Sequence, residues 1–187
     1  MSSIAEFSQW IAGLDFFTSL RESALAYPVI MSLHLSSIAV FGGLILMTDL
    51  RLLGLAMPNT RVSDMIAQTR NWKRIGFVVM VTCGILLAGA KLDKYYDNPY
   101  FQMKLLFLLL VGVHALAFHR SVYGNAAELD RAPTIPPIAK TAACLSLVLW
   151  IGILSFGRWI AYYERPGQVG IAPAAATQSL SQVVPSR

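Results

Sequence analysis

Four stretches of this chain stay apolar for longer than a soluble core helix needs: Tyr27 to Thr48, Gly76 to Leu92, Phe101 to His119 and Ile138 to Tyr163. None of them contains Asp or Glu. A helix crosses a hydrocarbon core with about 20 apolar residues, so the second run, at about 17, is short and the others suffice. Apolar and polar positions do not alternate within the runs, as the strands of a closed barrel would require. The pattern predicts an all-α integral membrane four-helix bundle over residues 27–163.

Two further segments are amphipathic. After a Ser3-x-x-Glu6 capping-box pattern, Ile4, Phe7, Trp10, Ile11, Leu14, Phe17 and Leu20 recur at helical spacing. Residues 1–26 therefore read as an interfacial helix that lies on the membrane or lids the bundle. Between Arg61 and Arg74, Val62, Met65, Ile66, Thr69 and Trp72 share one side, and Arg61, Arg70, Lys73 and Arg74 bring cations to a membrane surface. From residue 164 onward the chain is rich in Ala, Pro, Gln and Ser and is expected to be a flexible tail.

Composition strengthens this picture. With 56% apolar and only 13% charged residues, the chain cannot coat a soluble surface. The net charge of +5 comes from Lys and Arg beside the apolar runs, where they anchor helices, so nucleic-acid binding is set aside. The first residues carry no basic leader and no cleavage pattern, and a removable signal peptide is not expected. The loops joining spans 1–2 and 3–4 hold Arg51, Arg61, Arg70, Lys73, Arg74, Arg120, Arg131 and Lys140. The cluster in the first of them places those loops inside and both termini outside, in the periplasm of a bacterial inner (plasma) membrane.

No phosphate-binding loop, dinucleotide fingerprint, nucleophile triad, metalloprotease motif or pair of carboxylates within a span is present. An enzyme acting on its own is not expected. The candidate chemistry lies in ionisable residues inside the spans, which are functional candidates by default. His34 stands about 10 Å below the outer interface at 1.5 Å per helical residue, and Arg158 about 6 Å below it. An intramembrane imidazole can hold b-type haem or a metal, or carry protons; the alternative is a structural hydrogen bond to a hydroxyl such as Ser37. Arg158 would face a haem propionate, pair with Glu22 or Glu164, or snorkel to the interface. On a helical wheel Arg158, Ser155, Ile151, Cys144 and Lys140 share a face expected to point inward.

His114 is the second candidate ligand. It is about 13 Å deeper than His34, so ligation of one haem by both needs strong tilt. A haem held by His34 alone, or shared between protomers, escapes that difficulty. The same ruler places Cys83 and Cys144 level with His114, a soft set for copper if the three converge. His119, at the edge of its span, reads as an interfacial polar residue. Gly42-Gly43 would admit a flat macrocycle or a close helix neighbour.

These residues carry a resemblance. His34, Gly42-Gly43, Asp49-Leu50-Arg51-Leu52-Leu53-Gly54, Asn98 to Lys104, His119-Arg120 and Gly157 to Tyr162 resemble a family of uncharacterised bacterial four-span inner-membrane proteins, over roughly residues 20 to 163. The resemblance implies a four-span fold and no particular activity. More remotely, a histidine early in a span followed by small residues is similar to copper-resistance D-type proteins and to b-type cytochrome subunits, although paired cytochrome histidines and a Met-rich copper tract are lacking. The functional expectation is a haem b electron-transfer subunit, with His34, His114 and Arg158 at the cofactor. It would work in the lipid bilayer with a membrane protein partner, a second copy of itself or a quinone. The alternatives are a non-catalytic accessory or assembly subunit, or a copper- or metal-handling protein using His34 and His114.

Overall fold

The computed structural model describes residues 3–124, 126–132 and 134–163. The expected tail lies outside them, as does Glu164, one of the anions considered for Arg158. Helices α1 (Ser3–Ala12) and α2 (Asp15–Glu22) precede α3 (Ala26–Leu53) and α4 (Val62–Gly89). A short α5 (Leu92–Tyr95) leads to α6 (Pro99–Phe118), a π-helical turn (His119–Tyr123), α7 (Ala126–Arg131) and α8 (Pro137–Trp159), closed by a 3-10 turn. Among the described residues there is no strand. Four helical segments, 26–53, 62–89, 99–122 and 137–162, are long and apolar enough to cross a bilayer. The protein is a multi-pass membrane protein built as an all-α four-helix bundle.

α4 differs most from expectation. The basic amphipathic segment and the short second span form one continuous 28-residue helix. Nothing between Arg74 and Gly76 breaks it, because Gly76 packs against Phe41 of α3 and a Cβ there would stand 3.2 Å from that side chain. The apparent shortness of the span reflects where the charges stop, not where the helix starts. At the N-terminus the single expected helix is instead two, separated at Gly13-Leu14. Arg21 Nη1 donates to the carbonyls of Ala12 (3.3 Å) and Ala90 (3.1 Å), tying this pair of helices over the end of α4. The pair lids what is called here the terminal end of the bundle.

The four long helices form a row, with α4 on α3, α3 on α8 and α8 on α6. Every seventh residue of α3 meets α4 or Lys91, just beyond its end. Lys91 Nζ sits over the Tyr27 ring, His34 meets Met80 and Gly84, Phe41 meets Gly76, and Lys73 donates to Thr48. This is the spacing of an antiparallel heptad seam. Across α8, Phe41 and Trp150 rings stand 5.5 Å apart, and a Cβ at Gly152 would run into Phe107 of α6. The inward face of α8 is Ala139, Ala142, Ala143, Ser146, Leu149, Trp150 and Ile153. That corrects the expected polar seam, since Lys140, Cys144, Ile151, Ser155 and Arg158 are all exposed. Between lipid-solvated helices, small residues mark the close-packed face, because backbones approach most closely where side chains are short.

The opposite, loop end closes on a core of Leu52, Val62, Val122, Leu129 and the α8 alanines. Asp130 of α7 accepts from the backbone N–H of Val62 (2.7 Å) and Ser63 (3.1 Å), capping the first turn of α4 from another element. Slight burial opposes its ionisation, but the hydrogen bonds from Ser63 and Val62 and the charge of Arg61 prevail and hold its carboxyl below the ordinary value. A depressed carboxyl pKa stabilises the folded state above the unfolded value, near 4, and the contribution disappears as pH falls through the folded value. Hydrogen exchange at the first turn of α4 is therefore expected to rise below about pH 4 in the native protein and to lose that pH dependence in Asp130→Asn.

α6 begins at Asn98 for a stated reason. Its Oδ1 accepts from Tyr100 and Phe101 N–H (3.0 and 3.3 Å), its Nδ2 donates to Ile160 O (3.2 Å), and the side chain is buried. Asn98→Ala removes the cap and the tie to α8 together and is expected to cost about 2 kcal/mol, measured by denaturant unfolding in micelles. Asn98→Asp, which keeps the acceptor, should lose less.

Candidate functional site

Two polar islands interrupt the apolar interior, one in each half of the bundle. In the terminal half, His34 Nδ1 donates to the carbonyl of Met80 at 2.9 Å. Met80 lies four residues before Gly84, so its carbonyl already serves the α4 ladder and accepts the imidazole as a second donor. Gly84 makes room for the ring, since a Cβ there would stand 3.1 Å from Cε1. Nε2 has no hydrogen-bond partner among the described residues. Lys104 of α6 is near enough for its charge to act on His34. Its aliphatic chain lies by Gly157, where Cδ, Cε and Nζ are each 3.7 Å from the position of an added Cβ. No acidic side chain among the described residues meets the Lys104 ammonium.

The second island lies towards the loop end, where α3, α4 and α8 converge. Asp49 is 1% exposed, Ser146 of α8 hydrogen-bonds its carboxyl, and Oδ2 has no hydrogen-bond partner among the described residues. Lys73 of α4 supplies an opposite charge to Asp49, yet its Nζ donates to Thr48 Oγ1 at 2.7 Å, and Thr48 Oγ1 donates in turn to Leu44 O. Sequence reasoning missed this island because Asp49 falls one residue beyond the apolar run ending at Thr48, and Lys73 was assigned to a surface segment. The signal was there in part: Thr48 and Asp49 lie one turn of α3 before Leu52 and Leu53, inside a helix that ends only at Gly54, whose φ of +79° stops it.

The expected site residues do not gather. His114 is buried, but its Nε2 donates to Ala142 O at 2.9 Å, in the α6–α8 seam, while His34 belongs to the α3–α4 seam. The two histidines face different neighbours. Arg158 stands exposed, its guanidinium 4.9 Å from the Tyr162 ring centre and Nη2 donating to Tyr162 Oη at 2.6 Å. Arg158 thus reaches one turn along its own helix, and the cation whose charge acts on His34 is Lys104. Cys83 is buried and Cys144 exposed, and among the described residues no group of three His, Cys, Asp or Glu side chains could hold a metal ion. The depth ruler placed Cys83 with His114 because it counted from Gly76. The bond between His34 and Met80 shows that Cys83, beside Gly84, stands level with His34. His119 is exposed, as expected for an interfacial residue, and open space lies over Gly42 and Gly43.

At the terminal end, Tyr95 stacks on Phe101 (5.5 Å) and hydrogen-bonds Tyr27. Burial, then the neighbouring Tyr27, push its hydroxyl up to about 12, so this tie stays protonated at ordinary pH.

A family model, DUF6644, described as a family of unknown function, matches residues 23–163. The chain belongs to that family. No curated protein and no solved structure matches it. The match agrees with the resemblance to an uncharacterised family, and it covers α3 to α8 while leaving α1 and α2 outside. The remoter similarity to copper-resistance D-type proteins and b-type cytochrome subunits receives no support from these comparisons. Membership of DUF6644 carries no activity with it, so function must be argued from the islands.

Asp49 and Lys73 lie close enough for their opposite charges to act on each other, so removing Lys73 leaves the buried carboxylate without its counter-charge. Lys73→Met is expected to destabilise by about 2 kcal/mol, towards the low side for a buried pair because Lys73 is only partly buried. Asp49→Asn/Lys73→Met should recover part of that loss in micelle unfolding, whereas simple additivity would show the two side chains to be independent.

Proposed function

We propose that this DUF6644 protein is an electron-transfer subunit that holds haem b through His34. The observation supporting this is the hydrogen bond from Nδ1 to Met80 O. A ligating imidazole characteristically donates its second N–H to a carbonyl or carboxylate, which sets the tautomer and aims the other nitrogen. Here that nitrogen is Nε2, without a hydrogen-bond partner among the described residues, beside a glycine that leaves the ring its space. Lys104 adds a half-buried ammonium lacking an acid partner, which suits an anionic propionate. A haem bound there would supply one-electron transfer.

The chain's own residues do the rest. Met80 fixes the imidazole, Gly84 spares it a clash, Lys104 balances negative charge, and the apolar walls of α3 and α4 exclude water. His114, with Nε2 committed to Ala142, is a tie between α6 and α8. Any further residue holding the haem would therefore come from another copy of the chain or from a partner. Electrons would pass to a membrane protein or a quinone. The clustered Lys and Arg of the 51–74 region favour a bacterial inner membrane with both termini on the outer side. A copper-handling role has no comparable support, because Cys83, Cys144 and His114 do not converge.

The test is the absorption spectrum of protein purified in mild detergent from haem-replete cells. A Soret band is expected in the native protein, lost in His34→Ala and kept in His114→Gln, with Lys104→Gln lowering the midpoint potential. A colourless protein whose His34→Leu variant keeps its fold and partners would overturn this reading and favour an accessory subunit. So would a Soret band that survives His34→Ala.

A further inference from the structure

Arg51 lies two residues before the end of α3, and its Nε donates to Thr60 O at 2.7 Å. That bond orients a half-buried guanidinium and leaves both terminal nitrogens uncommitted, and among the described residues no carboxylate meets them. They stand at a cleft of about 310 Å³ whose polar lining is Arg51, Asn59, Thr60, Arg61, Asp130 and Thr134. A second cleft of about 230 Å³ shares Arg61 and Asp130 and adds Ser63 and Arg131. Asp130 is the acidic side chain of this lining, and both of its oxygens already accept from the first turn of α4. Arg51 and Arg61 thus line the first concavity and Arg61 and Arg131 the second, and Asp130, the carboxylate they share, is already hydrogen-bonded to the first turn of α4.

We propose that this cleft binds a phosphate-bearing anion, met here as the headgroup of an anionic phospholipid in the adjoining leaflet. A guanidinium whose Nε is already tied presents its terminal nitrogens as a fork that fits two oxygens of a phosphate. The chemistry matches the position, since the cleft opens where α3 ends and the chain returns into α4. Thr60 and Thr134 offer hydroxyls to the remaining oxygens. This site is independent of His34 and holds whether or not the protein carries haem.

The experiment is lipid retention by the full chain in detergent, read by native mass spectrometry, with phosphatidylglycerol and phosphatidylcholine as probes. Inorganic phosphate is tested separately by thermal stabilisation of the lipid-free protein. The native protein should retain phosphatidylglycerol over phosphatidylcholine, and Arg51→Gln should weaken that retention about fivefold. Because Arg51→Gln also removes the bond to Thr60, Asn59→Asp provides a second variant. It adds a negative charge at an exposed lining position and should weaken retention in the same direction. Arg120→Gln, outside both clefts, should leave it unchanged. Equal retention of the two lipids, or no effect of either cleft variant, would overturn the proposal. Stabilisation by inorganic phosphate that depends on Arg51, without preferential lipid retention, would overturn the lipid source and assign the cleft to a soluble phosphate compound.

Discussion

The seam between α3 and α4 is where this fold is decided, and its central fastening is the hydrogen bond from His34 Nδ1 to the Met80 carbonyl. Between helices bathed in lipid, apolar surface gives little preference for one register over another, because acyl chains are as apolar as leucine. A polar group has no such freedom; it finds its acceptor or stays unsatisfied. One histidine on one carbonyl therefore sets the register of two 28-residue helices. Phe41 over Gly76 and Lys73 on Thr48 repeat the same alignment two and four turns further along. The bond also determines which ring nitrogen is left over, so a packing device and a candidate ligand are the same side chain.

The other polar ties divide the work by seam. His114 on Ala142 and Asn98 on Ile160 hold α6 to α8, and Asp49 with Ser146 holds α3 to α8. Arg21 and Asp130 close the two ends from outside the spans. In this arrangement the histidines cannot be interchanged. His114 has its Nε2 spent, whereas His34 has an Nε2 without a partner among the described residues and the Lys104 charge nearby. The asymmetry places the proposed ligand chemistry in the terminal half, and the free terminal nitrogens of Arg51 among the described residues place the proposed anion recognition at the loop end.

The four spans were legible in the sequence because their signal is length and apolarity, which do not depend on neighbours. His34 was legible for the same reason, as an ionisable residue in the middle of a run. What could not be read was direction. The wheel of α8 correctly grouped Arg158 with Ser155 and Cys144 and then aimed the group inward, since polarity was taken as the mark of an interior face. The alanines opposite turned out to make the contact. Lys104 was passed over as an ordinary flanking lysine, because only the packing of α3 and α6 on α8 brings its charge near His34. Asp49 fell at the edge of an apolar run, and nothing local shows that α8 delivers Ser146 to it. The Asp130 cap joins residues 67 and 68 positions apart, a relation no local pattern encodes.

The most direct measurement is the 15N magnetic resonance spectrum of the histidine side chains in protein prepared without haem. Labelled histidine would be introduced and the His34 signals assigned by comparison with His34→Gln. Nδ1 carrying the proton and Nε2 bare, with a coupling from Nδ1–H to the Met80 carbonyl, is the result the structure requires. A proton on Nε2, or an imidazole whose Nδ1 shows no bond to α4, would remove both the register pin and the basis for ligation at once.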